Sequence, residues 1–220
     1  MALAAEQPFE EITITDIARR AGVSLADFRD AFPSKGAVLA GLAKMIDRKV
    51  LDSINDDLAD EPARDRLFDV LMRRLDAMAP YKEGLRAVSA WTRRDPVSAL
   101  ALNGVALNSM RFMLEAARID CEGPSGTLKL QGLVLAWSRV LDVWFDDDAQ
   151  NDRTMAALDR ELDRGGRLVA RLDDLERLAA PFKTFARALM QGGRDFNERV
   201  RERWQRRDSG ADRDGDRMYV

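Results

Sequence analysis

Apolar residues recur along this chain at steps of three and four residues, which is the period of an α-helix. Alternating β-branched runs bounded by turn residues do not stand out. The short alternation EITIT, residues 11–15, directly precedes a helical pattern, so we interpret it as a connection in which Thr15 caps the following helix. The pattern predicts an all-α chain.

Residues that begin and end helices divide this pattern into elements. Gly22 supplies a left-handed residue after one short helix, while Ser24 and Ser34 are placed to cap the next two. The expected helices cover residues 1–7, 16–21, 25–31, 35 to about 59, three that open at Pro62, Pro80 and Pro96, 127–145, 153 to about 178 with a weak point at Gly165 and Gly166, and a last region from Pro181.

The segment 16–31 has the layout of a helix-turn-helix, in which the first helix braces a second helix that enters the DNA major groove. The residues expected to pack its inner faces are Ile17, Ala18, Val23, Phe28 and Phe32. Three short helices around a glycine turn also occur without DNA binding, so the layout alone leaves a purely structural unit open.

The motifs TITDIARRAGVS and FRDAFPSKGAVL, within residues 12–42, resemble the N-terminal domain of the TetR family of transcriptional regulators. The resemblance implies a small DNA-binding head, a larger helical body that binds a ligand, and dimerisation through the last body helices. We therefore expect a homodimeric, ligand-responsive repressor that binds a double-stranded DNA operator in the cytoplasm. The expected domains are a three-helix head over 1–49, a ligand-binding and dimerisation domain over 50–207 and a disordered tail over 208–220.

The candidate DNA-binding residues are Arg19, Arg20, Ser24, Leu25, Asp27, Arg29 and Lys35. The family that the motifs resemble usually presents Lys, Thr, Tyr and His from its recognition helix, whereas this helix presents Leu25, Asp27 and Asp30. Residues 1–50 hold seven Lys or Arg and seven Asp or Glu. Because phosphate contacts supply most of the affinity for DNA, a neutral head predicts weak binding. Arg29 is the main candidate for a base contact, and Lys35 for a phosphate contact.

The body is rich in Met and aromatic residues, which can line an adaptable apolar pocket. The candidate residues for a small apolar ligand are Met78, Trp91, Met110, Met113 and Trp137. Ordinary core packing is the alternative. Five arginines could meet an acidic group of a ligand, or else lie on solvated helix faces; they are Arg86, Arg93, Arg94, Arg111 and Arg118.

Two late helices, over 127–145 and 153–171, are apolar enough to predict a homodimer interface. The stripe expected on the second of them consists of Met155, Leu158 and Leu162.

The C-terminal half also resembles lipid-binding accessory proteins of ubiquinone biosynthesis, which share the TetR fold but do not bind DNA. Like them, this chain ends on an amphipathic pattern, here over 185–207, where residues 194–207 carry six Arg against three acids. A basic amphipathic helix suits peripheral contact with a membrane surface. Docking of that helix on its own body is the alternative, and a TetR-fold lipid-binding protein is the second functional hypothesis.

Composition narrows the remaining functions. The chain contains no His and a single Cys, Cys121, so a zinc site, a cofactor and an enzymatic role are not expected. The acidic run FDDDAQND, residues 145–152, suits a hard cation or, more simply, a break between two helices. Neither a signal peptide nor a run of 18 apolar residues free of charge is visible, which agrees with a cytoplasmic protein.

Overall fold

The computed structural model describes residues 1–55, 59–122 and 126–167, and within these ranges it contains helices and turns but no strand. The helices are α1 (Ala2–Glu6), α2 (Ile14–Ala21), α3 (Leu25–Ala31), α4 (Lys35–Leu51), α5 (Ala63–Met78), α6 (Lys82–Arg94), α7 (Pro96–Ala116), α8 (Gly126–Phe145) and α9, described over 152–167. The all-α prediction is confirmed. The expected amphipathic helix over 185–207 and tail over 208–220 lie outside the described residues, and the domain boundary near Lys49 stays a prediction.

The first short helices are closed by side-chain caps. Thr13, and not Thr15, caps α2: the Asp16 N–H donates to Thr13 Oγ1 at 3.1 Å, and the Thr13 N–H donates to Asp16 Oδ2 at 3.0 Å. The prediction of Thr15 was wrong because only Thr13 has a carboxylate three residues later to complete this reciprocal pair. Gly22 ends α2 with φ 69°, as its position predicted.

Some predicted boundaries were wrong. α4 ends at Leu51 and not near residue 59, and just beyond its end the Ser53 N–H and hydroxyl donate to the Val50 carbonyl at 3.0 and 2.7 Å. A 3-10 turn over Ala79–Tyr81 precedes α6, which begins only at Lys82. The weak point expected at Gly165 and Gly166 does not interrupt α9 within the described residues.

The main core lies among α4, α5, α7, α8 and α9. Its most deeply buried large side chains include Leu71, Leu75, Met113 and Trp144. Leu158 and Leu162, which were expected at a dimer interface, are buried in this core at 2% and 8% exposure. Both side chains therefore pack within the chain and are not available to a second subunit.

α7 is long and apolar enough to cross a membrane by length and composition alone, although only 22% of its most apolar window is buried. Its side chains Met110, Met113 and Leu114 are buried in the main core. The helix therefore serves as one wall of the bundle, with a second face left exposed.

A smaller apolar cluster joins the first helices to the bundle. The ring of Phe9, after α1, packs against Trp91 of α6 with centroids 4.8 Å apart. α1 also approaches α6 closely: a Cβ at Gly84 would lie 2.6 Å from the Met1 carbonyl oxygen, so only glycine fits there. The helix-turn-helix is thus attached to α6 through its flanking segment.

A buried ion pair ties α4 to the bundle. The Arg74 guanidinium donates to Asp47 Oδ1, which also accepts from the Ser109 hydroxyl at 2.5 Å. The side chains of Arg74 and Asp47 are only 6% and 10% exposed. Arg74 lies 5.9 Å from the centre of the Trp137 ring. Four helices therefore meet at one charge pair, since Asp47, Arg74, Ser109 and Trp137 belong to α4, α5, α7 and α8.

We expect Asp47→Ala to lower the free energy of unfolding by about 3–5 kcal/mol, because it leaves the Arg74 guanidinium buried without a counter-charge. Asp52→Ala is the matched control, since Asp52 lies beside the same helix and its partner Arg48 is 83% exposed. Its expected effect is below about 1 kcal/mol. Urea unfolding followed by tryptophan fluorescence compares the two variants. Equal losses would contradict a stabilising role for the buried pair.

Candidate nucleic-acid interface

The helix-turn-helix consists of α2 and α3, held by small apolar contacts. Ala18 of α2 and Phe28 of α3 are buried, and the Phe28 and Phe32 rings lie 6.0 Å apart. Val23, expected to pack inside, is 42% exposed because it follows the left-handed turn at Gly22. The motif is thus formed, but one predicted inner residue lies on its surface.

The exposed face of α3 is where a major-groove contact would form. With the helical period of about 3.6 residues, Ala26 and Asp30 lie opposite the buried Phe28, and Arg29 lies at their side. Arg29 makes no hydrogen bond or ion pair with any residue that the structure describes, so its guanidinium is available. Leu25 at the start of the helix is 53% exposed.

Two of the predicted DNA-binding residues serve the start of α3. The Asp27 N–H donates to Ser24 Oγ at 3.1 Å, and Ser24 Oγ donates to Asp27 Oδ2 at 2.7 Å. The Ser24 N–H also donates to Asp27 Oδ2, at 3.3 Å, and this capping box explains why an aspartate lies in the first turn of α3. Asp30 has no such structural task within the described residues.

The two arginines of α2 are paired with acids. Arg20 forms a two-pronged contact with Glu6 of α1, with one N–H···O distance of 3.0 Å. This hydrogen bond lowers the pKa of Glu6 and raises that of Arg20. Arg19 lies 3.5 Å from Asp16 and remains 75% exposed. The pKa of Asp16 lies below its usual range, first because the Thr13 hydroxyl donates to it. Arg19 is therefore the more available of the two arginines.

Lys35 is directed into the protein. Its Nζ donates to the carbonyl oxygens of Ile12 at 2.7 Å, Phe9 at 3.2 Å and Glu10 at 3.4 Å, and lies 5.1 Å from the centre of the Phe9 ring. An ammonium has three N–H donors, and three carbonyls use all of them. Lys35 thus ties α4 to the segment before α2 and has no N–H left for a phosphate.

The candidate ligand residues occupy two separate places. Met78, Met110, Met113 and Trp137 lie together in the main core, whereas Trp91 packs against Phe9 in the smaller cluster. Two cavities of about 810 and 800 Å³ are lined by other residues. Contact of these five side chains with a ligand stays a prediction.

The body arginines considered for an acidic ligand are largely paired. Arg86 reaches Asp146 at 2.5 Å, Arg93 pairs with Asp142, Arg94 lies 3.4 Å from Glu10 and Arg111 lies 3.3 Å from Glu122. Arg118 also makes an interaction. These pairs favour a structural role on helix surfaces.

The acidic run after α8 begins the next helix. Asp147 Oδ2 accepts from the Thr154 N–H at 2.7 Å and from its hydroxyl at 2.6 Å, and this pairing lowers the pKa of Asp147. Among the described residues no group of three or more His, Cys, Asp or Glu is placed to hold a metal ion. The run thus acts as a helix break and cap.

Comparison with known proteins bears on the fold. No protein-family model matches the sequence, and no curated protein matches it. The crystal structure of a TetR transcriptional regulator from Rhodococcus sp. RHA1 is similar with a TM-score of 0.55, covering 74% of this chain and 89% of that one at 22% identity. The chain has a TetR-like fold.

The sequence pattern did not predict which residues join the head to the bundle of this TetR-like fold. Phe9 and Glu10 contact Trp91 and Arg94 of α6, and Asp47 joins α4 to the core. The one available sequence signal for a buried role of Asp47 was its place on α4 among the core residues Ile46 and Val50.

We expect Lys35→Met to lower the free energy of unfolding by about 1–3 kcal/mol, because methionine keeps the apolar stem but removes hydrogen bonds to three carbonyls. Lys49→Met, on the same helix and exposed, is the control, and should change stability by less than about 0.5 kcal/mol. Thermal or urea unfolding of both variants gives the comparison. A Lys35→Met protein as stable as the Lys49→Met protein would show that these contacts do not stabilise the head.

Proposed function

We propose that this chain is a DNA-binding transcriptional regulator, a repressor controlled by a small apolar ligand and acting as a cytoplasmic homodimer. The observation that supports it best is the complete helix-turn-helix with the side chain of Arg29 unpaired on the exposed face of α3. The TetR-like fold agrees with this role.

The proposed contacts differ in kind. Arg29 presents the fork of donors that suits guanine O6 and N7, whereas Asp30 can accept only from a donor such as cytosine N4. Arg19 is placed at the surface for phosphate, and Ser24 and Asp27 hold the helix start in position. Because Lys35 and Arg20 are already bonded within the head, we propose that few cations remain to contact phosphate.

On a duplex selected from a random pool, Arg29→Ala should remove discrimination of about 1–3 kcal/mol between the best and mismatched sequences. The neighbouring Asp30→Asn is the matched variant: it removes a negative charge from the exposed face of α3, so reduced repulsion of phosphate should tighten binding to all sequences. Fluorescence anisotropy at two salt concentrations measures both effects. Failure to select any duplex, or identical specificity in Arg29→Ala, would contradict DNA recognition through α3.

The proposed homodimer uses the exposed face of α8. Leu128 and Leu135 lie two turns apart on one face of this helix and are 55% and 51% exposed. Exposed apolar faces of this kind mark association sites, and two-fold dimers are the commonest result. In this proposal Leu128 and Leu135 form the dimer interface, in place of the buried Leu158 and Leu162.

Light scattering at micromolar concentration should give a dimer mass for the natural sequence and a monomer mass for Leu135→Glu, because a carboxylate would be buried without a partner at the interface. Leu100→Glu on α7, at a position 75% exposed, should leave the dimer intact. A monomer mass for the natural sequence would refute the dimer.

A second candidate function is that of a TetR-fold lipid-binding protein that does not bind DNA. Asp30 at the centre of the exposed face of α3 and the inward direction of Lys35 favour it, since both weaken attraction to phosphate. Its proposed membrane contact lies in 185–207, outside the described residues. Vesicle binding that is lost on removal of 191–220, together with no effect of Arg29→Ala on DNA, would favour this second function.

A further inference from the structure

A groove of about 800 Å³ runs between α4 and α7. Its walls are Ala40, Ala43, Lys44, Asp47, Arg48, Leu51, Asp52, Ala101, Gly104, Val105, Asn108 and Phe112, and we call it the α4–α7 groove. The groove exists because residues 40, 43, 101 and 104 have small side chains or none, while Phe112 closes one side and is 44% exposed. This volume lies in the range of small-molecule sites, about 300–1,000 Å³.

One wall of the α4–α7 groove holds a buried carboxylate with an unused oxygen. Asp47 Oδ1 accepts from both Arg74 and Ser109, but Oδ2 accepts no hydrogen bond from any described residue. The Asp47 side chain is nine-tenths buried, but among the described residues the fully buried polar atoms that lack a partner are Arg74 Nε and Arg86 Nε, so Asp47 Oδ2 keeps some access from the groove. Asp47 lines the groove and its Oδ2 has no donor among the described residues, so a ligand that donates a hydrogen bond to this oxygen would be stabilised.

The charges around Asp47 select the kind of donor. Arg74 already neutralises the carboxylate, and Lys44 lies on the same groove wall, so a further cation would meet net positive charge. A neutral O–H donor meets no such repulsion. Asn108 adds an amide to the wall, and the remaining walls are mostly apolar. We propose that the α4–α7 groove binds a neutral, largely apolar small molecule through a hydroxyl group that donates to Asp47.

The other large cavity lacks this feature. It lies between α1, α4 and the turn before α6, and its charged residues Lys82 and Glu83 already have partners. Lys82 donates to the Asp147 carbonyl at 2.8 Å, and Glu83 lies 3.6 Å from Arg86. Among the described residues of that wall, no buried carboxylate oxygen lacks a hydrogen-bond donor.

The groove adjoins the pair that ties α4 to the bundle. A hydroxyl that donates to Oδ2 binds the carboxylate that Arg74 and Ser109 contact through Oδ1, so occupancy changes the charge contact at α4. That the groove is the effector site of a regulator rests on the proposed function. Binding of the small molecule itself does not require DNA. The test therefore uses the full chain without DNA, so that a negative result differs from a failure to bind duplex.

Equilibrium dialysis with 1-naphthol and 1-methoxynaphthalene tests the donor. These probes share one ring system, but only the first has an O–H. The full chain should bind one 1-naphthol per chain about tenfold tighter than 1-methoxynaphthalene, as a hydrogen bond to a charged acceptor requires. No saturable binding of 1-naphthol, or equal affinity for both probes, would overturn the proposal.

Gly104→Leu tests the location. Asp47→Asn would also disturb the ion pair, whereas a side chain at Gly104 enters open space, with no atom within 4 Å of its Cβ, and fills the groove. We expect it to weaken 1-naphthol binding by about tenfold or more, since the leucine occupies the volume of the ligand. Gly166→Leu is the matched control, an exposed glycine of α9 with equally open surroundings outside the groove. Unchanged affinity in Gly104→Leu, or an equal loss in both variants, would overturn the assignment.

Discussion

The buried charge of Asp47 constrains α4, on which the rest of the structure depends. The first half of α4 supports the helix-turn-helix through Lys35 and Leu39, and the second half enters the main core through Ile46 and Val50. A rotation of α4 about its axis would remove the carboxylate from Arg74 and leave both charges buried and unpaired. Because that is costly, the pair sets the orientation of α4, and hence of the segment that Lys35 holds before α2.

Two further contacts, apart from the Asp47 pair, hold the head on the bundle. Phe9 lies between the ammonium of Lys35 and the ring of Trp91, so one aromatic side chain contacts both α4 and α6. Glu10 adds an ion pair with Arg94 at the rim. α2 and α3 themselves touch the bundle little. Their position follows from the chain that precedes them, which makes the flanking segment a structural part of the helix-turn-helix head.

Local signals predicted local structure well. Gly22, Ser24 and Ser34 each act on their nearest neighbours, so their roles followed from spacing alone. The error at the start of α2 came where two local solutions competed, as with Thr13 and Thr15. Ligand residues were harder, because composition does not distinguish a packed methionine from one that lines a cavity. The α4–α7 groove forms because residues 40, 43, 101 and 104 are alanine or glycine. Such small residues do not stand out in a pattern of apolar positions.

The pairing of charges limits how this molecule can attract DNA. Arginines of the body are used between helices: Arg64 bridges α5 to Asp159 and Asp163 of α9, and Arg139 reaches Glu161 at 3.0 Å. Such pairs neutralise cations on the described part of the bundle, and the net charge of the chain is −3. In the proposed function the described cations that would attract phosphate lie in the head, where Arg20 and Lys35 are already engaged. In the proposed function each neutralised phosphate would release a counterion, so a head with so few available cations would bind DNA with little dependence on salt. Affinity would have to come from base contacts, and Arg29 is the available donor on the exposed face of α3.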